Sequence, residues 1–100
     1  MLLIRDLMFC KPGKVRPMVE KFKAMKKLGE SKGMGKMRIL TDLSAERYWT
    51  VISEIEVDSL EKFMAMGQQG GEDAKEMERI MSDYHELVES GRREIYTVEG

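Results

Sequence analysis

One hundred residues suffice for a single domain (1–100), able to bury roughly two-thirds of the surface that its unfolded chain would expose. The 17 basic and 18 acidic side chains are interspersed, leaving a net charge of −1, so no basic surface points to nucleic acid. No stretch approaches the ~20 apolar residues needed to span a bilayer, the start Met1-Leu2-Leu3-Ile4-Arg5-Asp6 lacks the pattern of a signal peptide, and the single cysteine, Cys10, excludes an internal disulfide and fits a reducing cytoplasm.

The first element is a strand over Leu2 to Cys10. Leu3, Arg5, Leu7 and Phe9 share one face, and Leu2, Ile4, Asp6, Met8 and Cys10 share the other. Lys11-Pro12-Gly13 breaks it. Val15, Met18, Val19, Phe22, Met25 and Leu28 then recur at spacings of three and four, an amphipathic helix with Lys21, Lys23, Lys26 and Lys27 on its wet face. Pro17 sits in its first turn, where a missing N–H costs little, and Gly29 and Gly33 mark the exit.

Met37 to Thr41 and Tyr48 to Val57 read as strands. The short polar link Asp42 to Arg47 makes the pair antiparallel. Trp49, Val51, Ser53, Ile55 and Val57 share one face of the second; Tyr48, Thr50, Ile52, Glu54 and Glu56 share the other. Asp58-Ser59-Leu60-Glu61 has the spacing of a capping box, with Asp58 as N-cap. A short helix through Phe63, Met64 and Met66 breaks at Gly67 to Gly71. A longer one is expected from Asp73 to Ser90, with Met77, Ile80, Met81, Tyr84, Leu87 and Val88 as its stripe. Gly91 would end it, and Glu94 to Val98 would form the last strand.

The order β-α-β-β-α-β predicts an α+β, ferredoxin-like antiparallel sheet with both helices on one face. Trp49, Val51, Ile55 and Val57 are assigned to the covered face. Tyr48, Ile52, Leu3, Leu7 and Phe9 would then form an apolar patch on the open face, mixed with Arg5, Glu54 and Glu56. A monomer rarely leaves such a patch in water. Face-to-face pairing with a second copy would cover it, and a register slip of one residue would swap the faces.

Two local motifs carry no function. Gly70-Gly71-Glu72-Asp73 resembles the signature of diguanylate cyclases, but it opens a helix here rather than sitting on a hairpin. The segment Gly29 to Lys36 has the wrong glycine spacing for a phosphate loop and follows a helix rather than a strand. No ligand spacing for a metal is present. Met77 and Met81 could hold a soft metal, but both fall on the core stripe.

Asp6 and Ser53 stand out, because each interrupts an apolar strand face that points toward the helices. A buried carboxylate needs partners. Asp6 therefore reads either as the polar floor of a pocket or as a structural bond to Ser53, Tyr84 or backbone. His85, the only histidine, lies off the stripe and reads by default as a boundary residue that could act only by turning into the cleft. Cys10 reads as a buried structural thiol for want of a neighbouring base.

The opening strand Leu3 to Leu7, the Pro12-Gly13 turn, the hairpin ending in Tyr48-Trp49-Thr50-Val51, the segment Asp58 to Phe63 and the closing Leu87 to Tyr96 together resemble the dimeric α/β-barrel superfamily. That superfamily includes antibiotic-biosynthesis monooxygenase-like, NIPSNAP-like and stress-responsive barrel proteins. The resemblance spans the whole chain through structural rather than catalytic motifs. It implies two sheets packed across a two-fold axis, with a pocket in each subunit between sheet and helices. Some members are cofactor-free oxygenases of aromatic polyketides, others isomerases, and others degrade haem with an Asn, Trp and His set. This chain contains no Asn, and His85 comes late, so haem degradation does not fit.

The expectation is a cytoplasmic homodimer with a Met-rich pocket for a small apolar or aromatic molecule, without a cofactor. Trp49, Ser53, Met77 and Met81 would enclose the ligand. If the protein is catalytic, as a monooxygenase- or isomerase-like enzyme, Asp6 would move a proton and Tyr84 or His85 would polarise an oxygen. The alternative is a non-catalytic binding or assembly module.

Overall fold

The computed structural model describes residues 1–31, 36–67 and 72–100. β1 (Leu2–Cys10) leads into α1 (Val15–Ser31), followed by β2 (Met37–Thr41), β3 (Thr50–Val57), α2 (Leu60–Gly67), α3 (Glu72–Ile80), a 3-10 turn (Tyr84–Glu86) and β4 (Val88–Thr97). The four strands form one antiparallel sheet in the order β2-β3-β1-β4, with the helices on one face, a ferredoxin-like α+β fold. Among the described residues no helix is long and apolar enough to cross a membrane.

The pairing register settles the faces. Asp6 stands opposite Ser53 and Arg93, Met8 opposite Val51 and Gly91, and Ile4 opposite Ile55 and Ile95, all on the helix side. The core forms where α1 lies on this face. Met18, Val19 and Phe22 pack with Cys10, Val51 and Leu87, joined at the margin by Met8, Ile39, Met81, Tyr84 and Val88. These are the helical and strand positions that alternation and 3.6-residue spacing select.

The other face carries a single row of alternating charge across all four strands: Arg38, Glu54, Arg5 and Glu94. Glu54 pairs with Arg38 and, at 2.9 Å, with Arg5 Nε; Arg5 reaches Glu94 at 3.4 Å, and Arg92 reaches it at 3.1 Å. Beside it run the apolar Leu40, Ile52 and Leu7 in register, with Leu3 and Tyr96 beyond. Leu7 and Glu54 are each only 7% exposed, and Glu54 is held between the Arg5 and Arg38 guanidinium groups.

Several sequence expectations need correction. Tyr48 and Trp49 precede β3 instead of starting it. Trp49 has φ +62, outside any strand geometry, and its carbonyl accepts the Cys10 N–H at 2.8 Å. Gly29 lies inside α1, which runs on to Ser31. At α2 the capping residue is Ser59 rather than Asp58: its Oγ accepts the Lys62 N–H at 3.2 Å, while Asp58 pairs with Lys62 Nζ. The glycine loop read at 29–36 lies partly outside the described residues. The break read at 67–71, with the two glycines of the Gly-Gly-Glu-Asp motif, lies largely outside them too.

The largest correction concerns 81–93. α3 stops at Ile80 instead of running to Ser90, and the chain turns through bonds three residues apart, Ser82 N–H to Arg79 and Tyr84 N–H to Met81. Lys21 from α1 closes the end, donating to the Ile80 carbonyl at 2.9 Å and pairing with Asp83. β4 then starts at Val88, because β1 offers nine residues of backbone that need a partner. Gly91, expected to end a helix, is mid-strand. A Cβ there would stand 3.0 Å from the Leu7 carbonyl oxygen and 3.0 Å from Met8 Sδ. Gly91→Ala is therefore expected to destabilise the protein by about 1–2 kcal/mol through overpacking. Urea unfolding measures this, and an unchanged midpoint would mean that the two strands do not approach this closely.

Candidate functional site

The β1–β4 pair is the part of the sheet that the 3-10 turn overlooks. A bulge in the register, where Phe9 faces Ser90 but Cys10 faces Val88, leaves Glu89 unpaired and keeps Val88 on the helix side. Between turn and strand lies a cavity of about 430 Å³, lined chiefly by Met8, Tyr84, His85, Val88, Glu89 and Gly91. Tyr84 is partly buried against the core, and the exposed His85 lies on it with ring centroids 4.0 Å apart at a tilt of 34°. The two residues reach this cavity from a 3-10 turn, not from the helix face the sequence implied. A second hollow, of about 440 Å³ between α1 and α3, is crossed by the Lys21–Asp83 pair and takes none of the expected site residues. Lys21 holds the Asp83 carboxyl below the usual carboxylate range by hydrogen bonding to it.

One sheet row along the same face sits Asp6. Its partner is none of those the sequence suggested. Arg93 Nε donates to Oδ1 at 2.7 Å and Nη2 donates to Oδ2 at 3.2 Å, a two-pronged pair across β1 and β4. The hydrogen bond to Asp6 raises the Arg93 pKa above its already high ordinary value. The Phe63 ring from α2 lies 5.0 Å from the Arg93 guanidinium carbon. Ser53 is buried across from Asp6 in the register.

The structure thus gathers Tyr84 and His85 at one cavity, with Asp6 and Ser53 in the adjoining row of the same face. Met81 packs at the core margin, and Met77 is partly buried on α3. Trp49, 43% exposed on the hairpin connection, does not line the cavity. Arg93, Met8 and Gly91 were not anticipated. The signal for Arg93 was its alternation with Ile95 and Thr97, which a strand starting at Val88 instead of Glu94 places across from Asp6.

No protein-family description matches the chain, and no curated protein matches it. Solved structures do match. An uncharacterized NIPSNAP domain protein from Burkholderia xenovorans superposes with a TM-score of 0.74 at 16% identity, covering 99% of this chain and 95% of its own. An antibiotic biosynthesis monooxygenase gives 0.67 at 10% identity, with both chains covered completely. A Bacteroides fragilis protein described as dimeric, of unknown function and ferredoxin-like fold, gives 0.59 at 14% identity, with 97% and 95% covered. At these identities the likeness is one of fold.

Cys10 is the nucleophile candidate that the structure places in the core. Burial, and secondarily the charge of Asp42, raise its pKa above the ordinary 9.0. The folded state therefore favours the neutral thiol. That stabilisation is complete below the unfolded thiol's pKa and is lost as pH rises through the higher folded value. A maleimide at pH 8 is expected to label native Cys10 much more slowly than the urea-unfolded chain, and equal rates would contradict the burial.

Proposed function

We propose that residues 1–100 form a single dimeric α/β-barrel domain, in which two copies close their open sheet faces on each other and each binds a small apolar or aromatic molecule on its helix side. The observation that carries the ligand reading is the 430 Å³ cavity in which Tyr84 and His85 overhang Met8 and Gly91. Its lining sets the apolar Met8 and Val88 beside the polar groups of Tyr84, His85, Glu89 and Ser90, which can orient a small molecule through hydrogen bonds. The dimer reading rests on the uncovered face. Its apolar row Leu40, Ile52 and Leu7 runs beside the balanced row Arg38, Glu54, Arg5 and Glu94, and a two-fold rotation brings opposite charges of such a row together. The dimeric description of the Bacteroides fragilis protein agrees with it.

The fold likeness to an antibiotic biosynthesis monooxygenase supports monooxygenase- or isomerase-like chemistry as the catalytic form of this reading. Tyr84 or His85 would then polarise a ligand oxygen, while Asp6, with both oxygens on Arg93, holds the guanidinium in place. That engagement of Asp6 equally favours a binding module without turnover. The lone thiol supports a cytoplasmic setting.

Native mass spectrometry of protein purified from its own host tests both halves. A dimer retaining a small organic mass is expected, with Ile52→Lys shifting the assembly to monomer by placing an unpaired charge in the interface. An empty dimer would favour the assembly module. A wild-type monomer at micromolar concentration would remove the barrel.

A further inference from the structure

Across the open face, in the strand order β2-β3-β1-β4, one register row reads Arg38, Glu54, Arg5, Glu94, positive and negative in turn. The neighbouring row reads Leu40, Ile52, Leu7, Arg92. The two inner charges are matched within the chain, Glu54 by Arg38 and Arg5, and Arg5 by Glu54 and Glu94. The outer end of the row is less enclosed. Arg38 stands on the edge strand β2, and its side chain remains 73% exposed despite its pair with Glu54. A guanidinium has five N–H donors, and among the described residues Arg38 engages only Nη2. Glu94 stands on the opposite edge, three strand spacings or ~14 Å away, too far to meet Arg38 in one chain.

Two sheets laid face to face by a two-fold rotation have the axis in the plane between them. An axis along the strands reverses the strand order, so β2 lies on the partner's β4 and β3 on the partner's β1. A row of plus, minus, plus, minus becomes its own complement when reversed. Arg38 then faces Glu94 of the partner subunit, and Glu54 faces the partner's Arg5. In the neighbouring row Ile52 lies on the partner's Leu7, apolar on apolar, and Leu40 on the stem of the partner's Arg92. An axis across the strands instead lays every strand on its own copy. Centred on the charge row, it stacks like charges at all four positions. Centred on the neighbouring row, it opposes Arg92 to the partner's Arg92. Like charges so placed work against association.

We propose that the charge row is a self-recognition code, which selects a second copy of this chain with the two-fold axis along the strands and pairs Arg38 with Glu94 of the partner subunit at both ends. This rests on the dimer reading above and fixes its orientation and its specificity-determining residues. The apolar row supplies area without direction, because Leu40, Ile52 and Leu7 pack acceptably in more than one orientation. The charges supply the direction. A related sheet without the reversed pattern would leave Arg38 or Glu54 facing an unmatched group, so the same row discriminates against mixed assemblies.

The test mixes two full-length chains, Arg38→Cys and Glu94→Cys, each in a Cys10→Ala background, and treats them with ortho-phenylene dimaleimide, which spans the ~10 Å between facing sheets. The two chains differ in mass, so mass spectrometry separates mixed from like products. The mixture is expected to give the mixed cross-linked dimer, which keeps one native Arg38–Glu94 pair at its other end, and neither chain alone is expected to cross-link. A second measurement needs no cysteine. By sedimentation, Arg38→Gln and Glu94→Gln are each expected to raise the dimer Kd about tenfold, and the double variant no further, since all three remove the same two pairs. Cross-linking of either chain with itself, no cross-link in a mixture that remains dimeric, or additive losses in the double variant would each overturn the assigned pairing while leaving a dimer standing. A wild-type monomer would overturn the dimer reading and this pairing with it.

Discussion

The pairing of β4 with β1 along the whole of β1 is the constraint on which the remaining architecture depends. From Leu2 opposite Thr97 to Cys10 opposite Val88, it satisfies one edge of the strand that lies second from the end of the sheet. Its ends are fastened further by the Lys11 N–H to the Leu87 carbonyl at 2.8 Å and the Val98 N–H to the Met1 carbonyl at 3.0 Å. A strand of this length has to begin at Val88, which leaves the preceding chain only a short turn in which to cross from α3 to the sheet. The 3-10 turn, the cavity beneath it and the Asp6–Arg93 pair all follow from that geometry.

The two faces of the sheet solve the problem of burial differently. On the helix side, α1 supplies Met18, Val19 and Phe22 to cover Val51 and Cys10, and the core is apolar throughout this part. Toward β4 the cover thins, and a polar pair and an exposed Ile95 remain on the same face. On the open side, among the described residues, no helix lies over the sheet. Leu7 and Glu54 are nevertheless buried there, and each interior charge of the row has a partner on either side. Alternation matters physically, since a buried carboxylate such as Glu54 is tolerable only when cations flank it.

Cross-strand register explains why a few side chains define the site. Asp6 and Arg93 are 87 residues apart in sequence and become neighbours only because their strands align. The bulge at Glu89 has a similar local effect. It keeps Val88 turned to the core while Ser90 and Gly91 resume the alternation, so the strand can close the core at one end and line a cavity in its middle. Glycine at 91 suits the packing, since a Cβ there would crowd the Leu7 carbonyl and Met8 Sδ of the adjacent strand.

Sequence alone determined the parts that rest on local periodicity. Alternation located β1, β2 and most of β3, and the three-and-four spacing located α1 with its buried Met18, Val19 and Phe22. Because side chains alternate strictly along a strand, the same reading placed Asp6 and Ser53 on the helix side and Arg5, Leu7 and Glu54 on the other. Tertiary structure decided the region from Met81 to Arg93. There Met77, Met81, Tyr84 and Val88 fit a helical stripe, yet the demand of β1 for a partner of equal length outweighed that local pattern. It also decided which cation meets Asp6, that Tyr84 and His85 share a cavity, and that Trp49 leaves the strand face. These depend on contacts between residues far apart in the chain, which no local spacing encodes.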